Sequence, residues 1–203
     1  MPATGHKPGD VRNLDDRRIS RTRHAIDTAF LAELRRHGYD AVSVSDIVRE
    51  ANVGRATFYA HYQSKDDLLR AQLRRLLDST LRAHAGHAGA VDATALFSHV
   101  RDVPMLYRLI AGRSGTARST RVLSEALEER AIALLSANDT GGSGLRSSIP
   151  TLAAARVCAA TLCALLSWWS EQGLAATADE MQNMFATCTA PVAPPVGSIR
   201  CSG

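Results

Sequence analysis

The tripeptide Asn52-Val53-Gly54 stands between two short stretches with helical spacing of their apolar residues, and this limits the fold more than any other feature of the chain. On its N-terminal side, Val44, Ile47, Val48 and Ala51 mark the buried face of one short helix. Ser43 stands three residues before Asp46, which resembles a capping box. Its hydroxyl can accept an orphan N–H where a carboxylate is also welcome. Asn52 tolerates the left-handed backbone that a tight helix-to-helix turn needs, and Gly54 gives the chain room to turn again before Arg55 opens another helix. Two short helices joined this way make a helix-turn-helix.

The stretch that follows is dense in rings and bases, although the whole chain is only 5% aromatic. In a helix-turn-helix the second helix lies in the major groove of DNA, its first residues against base edges and its flanks against the backbone. Arg55 and Thr57 fall on the leading turn, where a guanidinium reaches guanine O6 and N7 and a threonine meets a thymine methyl or a phosphate. Tyr59 and His61 follow, with donors suited to phosphate oxygens, and Ser64 can cap a further helix opening near Lys65. Phe58 and Tyr62, four apart, are expected to face inward and hold the recognition helix on the helix upstream. That upstream helix is read from Ser20, with Ile26, Ala29, Phe30 and Leu34 as its stripe and His37-Gly38 as its end.

These residues carry a resemblance. Gly38-Tyr39, Ser43, Val44, Asp46-Ile47, Ala51 to Tyr59, His61-Tyr62, Ser64-Lys65 and Leu68 follow, in order, the motif of the N-terminal DNA-binding domain of TetR-type bacterial transcriptional regulators. The span from Arg17 to about Leu69 resembles that domain, with three departures: Asn52 for a glycine, Gly54 for a serine cap and Ala56 for a glycine. The resemblance implies DNA contacts from Arg55, Thr57, Tyr59, His61 and Lys65, with Ser43 and Arg49 as phosphate contacts at the ends of the preceding helix. Arg17, Arg18, Arg21 and Arg23 form a further basic cluster, of the kind that reaches phosphates or a minor groove.

The expected class is therefore all-α: a three-helix helix-turn-helix domain, then a helical ligand-binding and dimerisation domain. The expected division is a flexible tail at 1–16, the DNA-binding domain at 17–65, five helices over 66–190, and a disordered tail at 191–203. Leu69, Leu73, Leu76, Leu77 and Thr80 stripe the first of the five; segments near 93–111 and 119–137, the long helix after Pro150 and a last one over 177–187 complete them. The long helix carries Leu152, Val157, Cys158, Thr161, Leu162, Leu165, Leu166, Trp168 and Trp169, more than one core-facing stripe holds, so a second face needs a partner. Small residues Ala154, Ala159, Ala160 and Cys163 allow close approach there. The resemblance implies a homodimer through the last two helices, double-stranded operator DNA as partner and an unidentified, largely apolar small-molecule effector. Phe97, His99, Met105, Tyr107, Leu109 and Trp168 are the candidate lining of its pocket. A regulator of the same fold with no inducer is the alternative.

Charge agrees with a DNA-facing first part. Residues 1–82 hold fifteen Lys/Arg against eleven Asp/Glu, whereas residues 83–203 hold nine against nine. The N-terminus lacks the apolar core of a signal peptide, the cysteines Cys158, Cys163, Cys188 and Cys201 form no CxxC pair, and the most apolar run is shorter than a bilayer helix needs. A reduced, cytoplasmic protein with no membrane partner is the expectation. Metal ligation by His84, His87 and His99 lacks the spacing of a closed site. A redox pair Cys158–Cys163 lacks the geometry, and the loops Gly112 to Gly115 and Gly141 to Gly144 match neither a P-loop nor a nucleophile elbow. No cofactor, no metal and no catalytic residue is expected; the chain reads as a non-enzyme.

Overall fold

The stripe Ile26, Ala29, Phe30 and Leu34 is wound on a long helix, α1 (Pro8–His37), in a computed structural model that describes residues 8–83, 91–111, 115–139 and 149–190. The helix starts at Pro8, well ahead of Ser20, so residues 8–16 of the expected tail are helical; residues 1–7 and 191–203 lie outside the described residues. Proline suits a first turn because its missing N–H has no helical partner there, and no proline or glycine interrupts the chain from Asp10 to His37. Gly38 ends α1 at φ 75°, its N–H donating to the Leu34 carbonyl at 2.9 Å.

Three shorter elements follow: α2 (Val44–Glu50), which packs on α1, α3 (Arg55–Tyr59), which packs on α2, and the start of α4 (Lys65–Thr80). Ile26, Phe30, Leu34, Ile47, Phe58 and Leu68 are fully buried and form their common core. Both buried tyrosines of this unit have hydrogen-bond partners: Tyr39 donates to Asp66, and Tyr62 donates to Asp27 Oδ1 at 3.0 Å. The chain divides into two compact units, Met1–Leu68 and Leu69–Gly203.

The second unit continues α4 and adds a two-residue antiparallel pair, β1 (Arg82–Ala83) with β2 (Val91–Asp92). Then come α5 (Thr94–Asp102), α6 (Pro104–Ile110), α7 (Ala117–Asp139), α8 (Thr151–Glu171) and α9 (Ala178–Thr189). The class is all-α, but the segment expected as one helix near 93–111 is two. Pro104 takes the first position of α6, and Val103 before it leaves the helical region at φ −131°, ψ 55°, as a pre-proline residue tends to. Among the described residues of 66–190 there are therefore six helical stretches where five were expected. α7 and α8 pair along their length, burying Val122, Leu123, Ala126 and Leu127 against Ala155, Ala159, Leu162 and Leu166. Gln182 ties α9 to the start of α5: its Oε1 accepts from the Ala93 N–H at 2.8 Å and its Nε2 donates to the Val91 carbonyl at 3.3 Å. Thr177 and Glu180 cap α9 reciprocally, a capping box at its first turn.

Candidate nucleic-acid interface

The turn between α2 and α3 is built as its residues dictate. Ser43 caps α2: its Oγ accepts from the Asp46 N–H at 3.3 Å, while its own N–H donates to Asp46 Oδ2 at 3.1 Å. The Ser43 hydroxyl donating to the carboxylate, then the Ser43 N–H and Arg49, hold the Asp46 carboxyl below its ordinary range, so the cap loses its charged partner as pH falls. At the other end Asn52 sits in the left-handed region at φ 52°. The N–H of Val53 reaches back to the Val48 carbonyl at 3.0 Å and that of Asn52 to Arg49 at 3.2 Å, a Schellman closure. Gly54 has an ordinary extended backbone, φ −74° and ψ 153°, so the freedom expected of it goes unused; it caps α3 without a side-chain bond.

Phe58 pins α3 to the core, its ring 5.9 Å from Tyr62. Helix geometry then turns Arg55 and Tyr59 outward; both are exposed, with Thr57 and His61 half-buried beside them. Arg55 donates to Ser45 Oγ at 2.6 Å, which joins the start of α3 to the first turn of α2. Ser45 was not singled out in the sequence; its place two residues after the cap is the only local hint. Arg49 lies 2.7 Å from Asp46, and the Ser43 hydroxyl donates to the same carboxylate at 2.5 Å. Ser43, Arg49 and Arg55 thus gather around the start of α2 and α3, and Tyr59 and His61 stand at the end of α3.

Lys65 differs from the expectation of a phosphate contact. Its Nζ donates to the carbonyls of Tyr39, Asp40 and Val42 at 2.7, 3.1 and 2.8 Å, and it lies 4.7 Å from the centre of the Tyr39 ring. The ammonium satisfies the connection between α1 and α2, where backbone acceptors have no helical donor. Ser64 does cap α4, accepting from the Asp67 N–H at 3.1 Å.

In the second unit the six expected pocket residues do not share one lining. Phe97 is fully buried, edge-on to Trp169 at 5.8 Å, and Tyr107 is buried against His99 at 6.0 Å, whereas Met105 and Trp168 are exposed; Leu109 is half-buried. Adjacent helical positions point about 100° apart, so Trp168 and Trp169 face opposite environments. Tyr107 Oη and Trp169 Nε1 are buried with no hydrogen-bond partner among the described residues, and burial pushes the Tyr107 hydroxyl pKa upward. On α8 a line of small and apolar residues, Val157, Thr161, Ala164 and Trp168, faces outward, 44% of Trp168 exposed. On α9 Glu180, Asn183, Met184, Thr187 and Cys188 border a shallow depression of about 430 Å³. By length and composition alone α8 is long and apolar enough to cross a membrane, as the core helix of a soluble protein can also be. Burial pushes the free thiols of Cys158 and Cys163 to about 11. His84, His87, Cys201, Gly141 to Gly144 and all but Gly115 of the Gly112 to Gly115 loop lie outside the described residues.

Comparison with known proteins falls on the same region. Residues 27–71 match the model of bacterial regulatory proteins of the tetR family. An uncharacterized HTH-type transcriptional regulator of Bacillus subtilis (strain 168), YxbF, is 46% identical over 61 residues, which are 30% of this chain and 16% of that protein's length. Among solved structures, a protein assigned to the TetR family of transcriptional regulators from Syntrophomonas wolfei str. Goettingen is similar with a TM-score of 0.61 at 22% identity, covering 90% of this chain and 99% of that one. Full-length TylP, a TetR regulator from Streptomyces fradiae, gives 0.60 at 20% identity over 93% of this chain and 86% of its own.

Proposed function

We propose that this chain, a member of the tetR family through its helix-turn-helix DNA-binding domain, is a homodimeric repressor that leaves its operator when a small molecule binds its second unit. The carrying observation is the outward face of α3. Arg55 and Tyr59 are presented to solvent by a helix whose opposite side is locked by Phe58, and Arg55 is oriented by Ser45. Such a face reads base edges with Arg55 and Thr57 and grips phosphates with Tyr59, His61 and Arg49. Ser43 contributes through the cap that sets the pitch of α2.

Dimerisation is supported by α8. A helix this apolar with an outward line from Val157 to Trp168 is covered in water by a second copy, with α9 alongside, in a four-helix bundle. Proteins of this family work in the cytoplasm, and a bundle accounts for the apolar face without a membrane. Two heads then address two half-sites of a near-palindromic operator. Release by an effector is a shift between DNA-competent and incompetent dimers, as large as the effector's differential affinity for the two. Tyr107 Oη, Trp169 Nε1 and Arg130 Nε of the second unit are buried without a partner among the described residues, and a bound acceptor would satisfy such donors.

The test is fluorescence anisotropy against DNA upstream of the chain's own coding region and against scrambled DNA. Arg55→Ala is expected to cost about 1–3 kcal/mol on the cognate site and to flatten the preference for it. Equal binding of both DNAs by the wild type, unchanged by the substitution, would remove Arg55 from base reading.

A further inference from the structure

α4 is one unbroken helix over the division at Leu68 and Leu69. Its first turn belongs to the reading head, where Lys65 holds the connection between α1 and α2. Its remaining turns belong to the second unit, and there a row of charges fixes them to α7. Arg70 donates to Glu125, Arg74 reaches Glu129 Oε2 through Nε at 2.8 Å and Nη2 at 2.7 Å, and Asp78 lies 3.3 Å from Arg130 Nη1. Arg130 also donates to the Leu81 carbonyl at 2.8 Å, just past the last turn of α4. Arg70, Arg74 and Asp78 are spaced four apart, as are Glu125 and Glu129, so the partners form a line along two helices that run in the same direction.

Apolar contacts do not choose that alignment. Leu69, Leu73, Leu77 and Leu81 are all buried and also repeat every four residues. A shift of one turn, about 6 Å, replaces each leucine by the next, and apolar burial is non-directional. The charges, in contrast, have an order: positive, positive, negative on α4 against negative, negative, positive on α7. Shifting α4 by a turn one way sets Arg70 against Arg121 and Asp78 against Glu129, two like-charged pairs. The opposite shift leaves Arg74 and Asp78 facing Ala133 and Ala137. Exposed ion pairs add little to stability, but like charges brought together exclude an alignment.

α7 is tied in turn to α8. Glu128 accepts from Arg156 Nε at 3.0 Å, and Val157, next to Arg156, begins the outward apolar line proposed to meet a second copy. A series of ion pairs thus runs from the helix that leaves the reading head to the helix of the proposed dimer face.

We infer that the charge-ordered row is a register lock on α4: Arg70, Arg74 and Asp78, with Glu125, Glu129 and Arg130, are positioning residues that set the spacing of the two reading heads without touching DNA. The inference rests on the dimeric, DNA-binding reading proposed above and adds to it what fixes the heads. Preference for a two-headed site then depends on pairs inside the second unit, whereas binding by one head alone does not.

The full-length protein is titrated by anisotropy with the upstream DNA, with a duplex carrying half of its footprint and with a random-sequence duplex. Arg74→Glu and Glu129→Arg change the net charge in opposite directions. Each is nevertheless expected to lower the ratio of upstream to half-footprint affinity roughly tenfold, the scale of a coupling between sites. The double variant, with the pair reversed, restores the ratio. The urea midpoint changes little in all three, because both side chains are about half exposed. Opposite effects of the two single reversals would mean that Arg74 acts on phosphates through its charge, and would overturn the inference. So would an unchanged ratio, or a loss that the double variant does not restore. A wild type without preference for the upstream DNA over the random duplex removes the DNA-reading premise, and one that sediments as a monomer removes the dimer; the lock falls with either.

Discussion

Buried aromatic donors and exposed apolar side chains differ between the two units. In Met1–Leu68 each buried tyrosine has an acceptor, Asp66 for Tyr39 and Asp27 for Tyr62. Among its described residues the exposed large hydrophobic ones are Ile19, on α1, and Tyr59, on α3. In Leu69–Gly203 the Tyr107 hydroxyl and Trp169 indole are buried without a partner among the described residues, while Leu152, Val157, Trp168 and Met184 face outward. The first unit is finished by its own residues and exposes surface suited to a polyanion. Among its described residues the second leaves buried donors unsatisfied and an apolar face exposed in one copy.

If that contrast is sound, the largest effect comes from breaking the self-sufficient core. Phe58 is fully buried and meets Tyr59 and Tyr62 at 5.5 and 5.9 Å. Phe58→Ala is expected to cost about 3–5 kcal/mol, enough to unfold the reading head in urea while much of the helical signal of the second unit survives. A single transition that removes all helix at once would show that the units do not stand independently.

The uncovered face gives the next effect. Trp168 is 44% exposed in one copy, so Trp168→Glu leaves the isolated fold unharmed but puts a charge into the proposed four-helix interface. A loss of about 2 kcal/mol for each of two copies, about 4 kcal/mol together, raises the dimer dissociation constant by a factor on the order of 700, read by sedimentation. Unchanged assembly would move the interface off the line from Val157 to Trp168.

What the sequence made legible follows the same division. Ser43 with Asp46, Asn52 at the turn, and Phe58 with Tyr62 are interactions three or four residues apart, and each takes the place its chemistry predicts. The break at Val103-Pro104 was also readable, since a proline and the residue before it both oppose a continuous helix. Lys65 was not: its acceptors lie 23 to 26 residues upstream, and no local pattern announces them. The phase of the candidate pocket residues was hidden for a similar reason. Whether Trp168 or Trp169 turns inward depends on the packing of α8 against other helices, and a helix apolar on most sides hides its own phase.

Lys65 supplies a smaller test of whether the first unit's charges serve the fold or the DNA. Lys65→Met keeps the stem near Tyr39 and removes the donors to three carbonyls. Stability is expected to fall by about 1–2 kcal/mol in urea titration. The salt slope of DNA binding should stay that of the wild type; a slope reduced by about one would put the ammonium on a phosphate.

The smallest effect has the opposite sign. Gly54 holds the N-cap of α3 at φ −74° and ψ 153°, a conformation any residue adopts, and no side chain there meets the orphan N–H groups of the first turn. A Cβ added at this point meets only Thr57 Oγ1, at 3.8 Å, an ordinary contact. Gly54→Ser therefore supplies a hydroxyl to the Thr57 N–H and reduces the freedom of the unfolded chain, without strain. The expected gain is about 0.5 kcal/mol, seen as a higher urea midpoint at constant m. Because the backbone is already set, Arg55 keeps its bond to Ser45 and the preference for cognate DNA does not change. A loss of stability would mean that the new side chain disturbs Thr57; a changed preference at equal stability would mean that the glycine sets how closely α3 approaches the groove.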